Sequence, residues 1–104
     1  MQIGRNYHMI FVWDSRKASI NLKKHNVSFE EAKTVFDDSE ALLLPDPDHS
    51  ETEDRFILLG LSSSLQLLIV CHCYRENDDI IRIISARKAT KNETTTYLRR
   101  KGNA

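Results

Sequence analysis

An arginine lies at the centre of an apolar segment, residues 80–84, near the carboxyl end of the chain. A guanidinium buried there without a partner would cost several kcal/mol, so Arg82 must either pair with an acid or project into a cleft. Arg87 and Lys88 follow at the predicted end of the strand, where loops often carry functional side chains. Because a guanidinium binds a phosphate through two parallel hydrogen bonds, these arginines are suited to hold a phosphate.

The alternation of side chains along the predicted strands brings further polar groups towards Arg82. His72 and Tyr74 share one strand face, and if the strands align, both converge with Arg55 and Arg82 in a cationic cleft. Such a cleft suits metal-free RNA cleavage, in which cations stabilise the charged phosphorus centre and a histidine, tyrosine or carboxylate moves protons. The alternatives are a hydrogen-bonded His72 inside the core and an Arg82 paired with an acid of residues 30–54.

Other chemistries find little support in the sequence. It has no glycine-rich phosphate loop and no Gly-x-Ser-x-Gly motif. Cys71 and Cys73 flank His72, but the imidazole would point away from the thiols, and no second ligand pair follows at a usual zinc spacing. The longest near-apolar run, residues 65–73, is too short to cross a bilayer as a helix. We therefore expect no metal, no cofactor and no membrane association, and two reduced thiols in a cytoplasmic protein.

Charge is unevenly distributed along a chain whose formal net charge is zero. Residues 1–25 hold five Lys/Arg and one acid, whereas residues 30–54 hold ten acids and one Lys. Residues 55–104 again favour cations, with nine Lys/Arg and four acids. If the fold gathers the two basic ends, one face suits a polyanion or an acidic partner. The alternative is that acids and bases interleave in space and no patch forms.

Caps and apolar spacing predict an α+β domain. Asp14 is an N-cap for a helix over residues 15–25, and Asn26 is a left-handed C-cap. Capping boxes at residues 28–31 and 90–93 begin two further helices, of which the last ends near residue 100. Short polar connectors join three strands in an antiparallel meander. The predicted strands cover residues 9–13, 41–44, 55–61, 65–74 and 79–85.

The predicted architecture is therefore βαα, then a β-meander, then α, with the helices packed on one side of an antiparallel sheet. Residues 1–8 read as an N-terminal extension, and Met9 is an alternative start. Residues 9–100 form one domain, and residues 101–104 are expected to fray.

Several motifs resemble the BrnT toxins of bacterial toxin–antitoxin pairs. Asn-Leu-Lys-Lys-His at residues 21–25 and Ile-Ile-Ser-Ala-Arg at residues 83–87 are distinctive as a pair. Asn26 stands where the family usually has glycine, and asparagine also adopts the left-handed cap. The likeness covers residues 9–100 and includes Phe-Val-Trp-Asp at 11–14, Val-Ser-Phe at 27–29, Val-Phe at 35–36, Pro-Asp at 45–46, Glu53 and Arg55.

This resemblance implies a RelE-like fold, a ribonuclease that halts translation, and neutralisation by a BrnA-like antitoxin. It also implies that the complex binds operator DNA only through the antitoxin. Within it, the candidates for phosphate contact are Lys24, Arg82 and Arg87, and those for proton transfer are His72, His25 and Glu53. The candidate substrate-binding residues are Arg55, which serves phosphate or Glu53, Tyr74 as a stacking platform, Lys88 and Lys23.

Several of these residues also have structural explanations. Lys23 and Lys24 are then solvated charges that favour the helix end, and His25 is a donor to the last carbonyls. A second class of function is a non-enzymatic interaction module whose basic face docks an acidic partner or a nucleic acid. A third is a nuclease that depends on a metal ion.

Overall fold

The computed structural model describes residues 9–46, 54–75 and 79–102. The predicted helices and strands are all present, with small shifts at their ends. The last strand continues three residues further than predicted, and the last helix includes residues 101 and 102, which were expected to fray. The elements are β1 (Ile10–Val12), α1 (Ser15–His25), α2 (Phe29–Thr34) with a 3₁₀ turn (Val35–Asp37), β2 (Leu42–Pro45), β3 (Phe56–Leu61), β4 (Leu67–Arg75), β5 (Ile80–Lys88) and α3 (Lys91–Gly102).

One five-stranded sheet has the order β1-β5-β4-β3-β2. Strands β2 to β5 pair antiparallel in sequence order, and β1 joins the open edge of β5 in parallel. The predicted α+β class and the meander are therefore confirmed, and the sheet is mixed because of β1. Within the described residues, no helix has the length and apolar character needed to span a membrane.

The caps of α1 are those that the sequence predicts. The Asp14 carboxylate accepts hydrogen bonds from the backbone N–H groups of Arg16, at 2.8 Å, and Lys17, at 3.1 Å. Asn26 ends the helix with a φ of 58°, and its N–H donates to the Leu22 carbonyl at 2.8 Å. These caps fix the end of α1 and thereby the place of the basic residues in its last turn.

Helices cover both faces of the sheet, which corrects the prediction that all of them pack on one side. The main core, with Phe29, Val70 and Ile83, lies between the sheet and the α1/α2 layer. On the opposite face, Tyr97 of α3 packs on Leu59 and Ile69. Apolar side chains of the meander strands point alternately to the two faces of the sheet. Each face must therefore be covered by a helix that shields it from water. We call these surfaces the α1/α2 face and the α3 face.

A β-bulge in β5 decides which side chains share the α3 face. Cys71 pairs with Ser85 but His72 pairs with Ile83, so Ile84 is an extra residue in the ladder. Arg82 and Arg87, five residues apart, would point to opposite faces of a regular strand. Because the extra residue of the bulge compensates for this odd separation, both side chains lie on the α3 face.

The turn between β3 and β4 holds a leucine in a strained conformation. Leu65 has a φ of 66° and is 76% exposed, while its N–H donates to the Ser62 carbonyl at 2.9 Å. The left-handed region costs a residue with a Cβ about 1–2 kcal/mol, whereas glycine adopts it freely. Since glycine loses part of this gain to its larger unfolded entropy, we expect Leu65→Gly to raise the free energy of unfolding by about 0.5–1 kcal/mol.

Urea unfolding measures this change, and Leu65→Ala is the matched control because it removes the exposed side chain but keeps the Cβ. We expect the alanine variant to stay within about 0.5 kcal/mol of the parent chain. A glycine variant no more stable than the alanine variant would show that the turn stores no such strain.

Candidate active site

A cationic groove of about 400 Å³ crosses the α3 face beside the end of α1. Four of the ten predicted site residues line it, from three separate parts of the chain: Lys24 and His25 from α1, Arg55 from the start of β3, and Arg87 from β5. We call this surface the cationic groove. Its other lining residues are Asp46, Ile57, Ile69, Cys71, Ile84, Ser85 and Ala86.

Asn21 holds the end of α1 against this part of the sheet. Strand β1 stops opposite Arg82, so among the described residues no strand pairs with this edge of β5 at Ala86. The Asn21 side chain takes that place: its amide donates to the Ala86 carbonyl at 2.8 Å and its oxygen accepts the Ala86 N–H at 3.1 Å. The same amide donates to the Val27 carbonyl at 3.0 Å, which ties down the segment after α1. Lys24 and His25, in the next turn of the helix, are thereby placed at the groove.

Arg87 enters the groove already paired. Its two terminal nitrogens donate to both carboxylate oxygens of Glu93, at 2.9 and 3.0 Å. Glu93 is the acid of the predicted capping box, and it also accepts the Thr90 N–H at 2.8 Å. The Arg87 side chain remains 39% exposed. A guanidinium has five N–H donors, so the pairing fixes the plane of Arg87 and leaves donors for a second anion.

Cys71 lies in the groove as a protonated thiol. It donates to a carboxylate oxygen of Asp46 at 3.4 Å. Burial, followed by the hydrogen bond and negative charge of Asp46, raises the pKa of Cys71 to about 11. Since the thiolate is the nucleophilic form, this cysteine is poorly suited to covalent catalysis near neutral pH. In the described part of the chain, no group of three or more His, Cys, Asp or Glu residues is placed to hold a metal ion.

Comparison with known families gives a match over most of the chain. The family model of the ribonuclease toxin BrnT of type II toxin–antitoxin systems matches residues 13–93. The chain belongs to the BrnT family of ribonuclease toxins. The predicted family, toxin function and ribonuclease class are thereby confirmed, and a type II toxin has an antitoxin as its partner.

The fold of this BrnT-family toxin is also found in a solved structure. The crystal structure of the Brucella abortus ribonuclease toxin BrnT superposes with a TM-score of 0.62 at 22% sequence identity. The alignment covers 80% of this chain and 99% of that chain. A search of curated protein sequences gave no significant match.

His72 and Tyr74 do not join the cationic groove, so the predicted convergence with Arg55 and Arg82 is wrong. Both side chains point to the α1/α2 face, where His72 is fully buried and packs against the Phe36 ring at 4.9 Å. Its ring nitrogens lie 3.1 Å from the Val70 carbonyl and 3.3 Å from the Tyr74 hydroxyl. Burial lowers the pKa of His72, so the imidazole is a neutral core group. Tyr74 lines a separate apolar pocket of about 310 Å³ on that face.

The remaining predicted residues lie outside the groove lining. Arg82 shares the α3 face but sits opposite Cys73, beyond the Cys71–Ser85 pair that borders the groove. No hydrogen bond or ion pair joins Arg82 to the parts of the chain that the structure describes, so the alternative of a pairing with an acid is not found there. Lys88 pairs with Leu68, whose side chain belongs to the α1/α2 face, and Lys23 is exposed on α1. Glu53 lies outside the described residues.

Four residues of the site were not predicted as functional groups from the sequence: Asn21, Asp46, Ser85 and Glu93. Signals existed for two of them. Asn21 is a polar residue on the face of α1 that packs on the sheet, and Glu93 belonged to a recognised capping box six residues after Arg87. Neither signal indicates which residue the side chain contacts, because each contact depends on how α1 or α3 packs on the sheet.

The Arg87–Glu93 pair makes stability sensitive to acid. Hydrogen bonds from Arg87, with smaller contributions from Thr90, lower the pKa of Glu93 from 4.5 to about 2. The pair therefore stabilises the fold above the ordinary pKa of the acid, and this contribution is lost as the pH falls through 4.5 towards 2. We expect Glu93→Gln to flatten the loss of stability over that interval, as measured by urea unfolding at several pH values. Parallel pH profiles for the two chains would contradict this assignment.

Proposed function

We propose that the cationic groove is where this toxin cleaves RNA, and that the reaction needs no metal ion. The observation that carries the proposal is the convergence of Lys24, His25, Arg55 and Arg87 on one groove. The family supplies the class of activity, and the groove supplies cations and an imidazole at one place.

The proposed reaction is an internal transfer at phosphorus. The 2′-oxygen of RNA forms a bond to the adjacent phosphorus, and the bond from phosphorus to the 5′-oxygen breaks. The 2′-hydroxyl gives its proton to a base, and the 5′-oxygen receives one from an acid. The products are a 2′,3′-cyclic phosphate and a 5′-hydroxyl. Negative charge grows on the phosphorane oxygens, and fixed donors aimed at such charge often make the largest catalytic contribution.

Each groove residue has a role that follows from its chemistry. Lys24 and Arg55 contact the scissile phosphate, and Arg87, oriented by Glu93, donates its remaining N–H groups to the same phosphate. His25 transfers a proton, since histidine is the commonest group in this role and its imidazole lines the groove. His72 has no part in the proposed reaction, because it is buried on the other face.

The proposal predicts RNA cleavage in the presence of EDTA. Purified protein incubated with RNA and EDTA should give fragments with 2′,3′-cyclic phosphate ends, detected by mass spectrometry. We expect Arg55→Ala to abolish these ends, while Arg75→Ala, an exposed cation at the far end of β4, serves as the control. Loss of cleavage in EDTA would contradict the metal-free mechanism.

The cations of the groove also suit an acidic partner. We propose a BrnA-like antitoxin that covers the groove with an acidic or amphipathic segment, in a cytoplasmic complex that binds operator DNA through the antitoxin. Lys24 is exposed and borders the groove, so the antitoxin should protect it from acylating reagents. A complex in which Lys24 stays as reactive as in the free toxin would contradict this placement.

A further inference from the structure

Helix α3 lies across the α3 face and is anchored there at two points. Glu93, in its first turn, binds Arg87 beside the cationic groove. Tyr97 packs on Leu59 and Ile69, and its hydroxyl donates to Asp38 at 2.7 Å. Asp38 also accepts the Leu61 N–H at 2.9 Å, so this second anchor is at the opposite end of β3 from Arg55. One side of the helix thus borders the groove, and the other side faces the Asp38 end of the sheet.

The last turn of α3 carries cations on both of these sides. With 3.6 residues per turn, Arg100 is nearly in line with Glu93, on the side that borders the groove, whereas Arg99 lies about 100° further round the helix, away from the sheet. Lys101 falls on the other side of Tyr97, towards Asp38. Burial opposes ionisation of Asp38, but the Leu61, Tyr97 and Glu40 hydrogen bonds and the charge of Lys101 together lower its pKa. The position of Lys101 is thus supported by its effect on Asp38.

Arg99 and Arg100 are exposed, and no ion pair involves either of them within residues 9–46, 54–75 and 79–102. Cations at a helix end also complement the helix dipole, and Lys101 does this as well. The dipole does not explain why Arg100 lies on the groove side of α3. The rise along the helix axis from Glu93 to Arg100 is about 10 Å. The charge of Arg100 therefore lies further along α3 than the Arg87–Glu93 pair.

We propose that Arg100 binds a backbone phosphate of a single-stranded RNA that passes along α3 as it leaves the cationic groove. This inference rests on the proposed function, since the groove must hold the scissile phosphate. It assigns α3 a second role, as a track for flanking nucleotides. The toxin should therefore bind a longer single strand more tightly than a dinucleotide, which reaches the groove alone.

The test compares the salt dependence of RNA binding in matched variants. The probe is a single-stranded oligonucleotide with 2′-deoxy sugars, which is not cleaved, and binding is followed by fluorescence anisotropy. Each phosphate contact on a single strand contributes about 0.7 to the slope of log K against log salt concentration. We expect Arg100→Gln to lower the slope by about 0.7.

Lys101→Gln is the matched control, because it removes one cation from the same turn but on the side of Asp38. We expect its slope to equal that of the parent chain. Equal losses for Arg100→Gln and Lys101→Gln, or no loss for Arg100→Gln, would overturn the inference. The preference for the oligonucleotide over a dinucleotide should also shrink in Arg100→Gln. If instead the proposed function is wrong, the Lys24→Ala and Arg55→Ala variants should cleave RNA as fully as the parent chain.

Discussion

Replacing Lys24 with alanine is expected to lower kcat for RNA cleavage by about 100-fold, the usual cost of losing one donor that stabilises the transition state. Lys24 is exposed and borders the cationic groove at the end of α1. Its positive charge stabilises the negative charge that grows on the phosphorane oxygens in the transition state, so the loss of activity should appear in kcat. The fold should persist, since exposed substitutions of this kind usually change stability by less than about 0.5 kcal/mol.

Lys23→Ala provides the comparison within the same helical turn. Both lysines complement the dipole of α1, but Lys23 does not line the groove. Single-turnover cleavage of a labelled RNA measures both variants, with circular dichroism as the check on folding. Equal losses of activity in the two variants would indicate a general effect of positive charge and would contradict the assigned role of Lys24.

Replacing Asn21 with alanine is expected to lower the free energy of unfolding by about 3 kcal/mol, because buried polar groups would lose their partners. The side chain is 6% exposed and makes three hydrogen bonds, two to Ala86 and one to Val27. Alanine leaves the carbonyls of Val27 and Ala86 and the Ala86 N–H inside the protein without these bonds. For a domain of this size, we expect the melting temperature to fall by roughly 12–24 °C.

Asn92→Ala is the control for this change, since Asn92 is exposed on α3. Thermal and urea unfolding of the two variants give the comparison. We further expect Asn21→Ala to lower cleavage by the folded protein, because α1 would no longer be fixed at the edge of β5. A melting temperature like that of Asn92→Ala would show that the Asn21 bonds contribute little to the fold.

The local elements of this fold are well predicted from sequence because their signals come from near neighbours. Asp14 and Asn26 define α1 through contacts within four residues. Ser28 begins α2 in the same way, by accepting the Glu31 N–H at 3.0 Å. The strands of the meander follow from short connectors and apolar runs. Each of these features is determined within a short segment and does not depend on contacts with distant parts of the chain.

The site is less well predicted because its geometry depends on register and on contacts distant in sequence. The parity of β4 places His72 and Tyr74 on one face, but it does not say which face helices will cover. The bulge at Ile84 shifts Arg87 onto the same face as Arg82, and no residue type in the segment marks it. The bond between Asn21 and Ala86 spans 65 positions, so no local pattern contains it.

The resemblance and the charge pattern indicated residues that no local pattern connects. Lys24, His25, Arg55 and Arg87 were all among the predicted residues, and they meet at one groove. The pairing of Arg87 with Glu93 was not predicted, although Arg87 was a predicted phosphate contact and Glu93 was part of a predicted capping box. Arg82 interrupts an apolar strand and was a predicted phosphate contact, yet it lies beyond the groove.

A crystal structure of the toxin with a single-stranded RNA that carries a 2′-deoxy sugar at the cleavage position tests the central claim most directly. The account predicts a phosphate in the cationic groove, within hydrogen-bonding distance of Lys24, Arg55 and Arg87, with His25 beside the 2′-carbon or the 5′-oxygen. An oligonucleotide bound on the α1/α2 face near His72 and Tyr74, with the groove empty of phosphate, would contradict it.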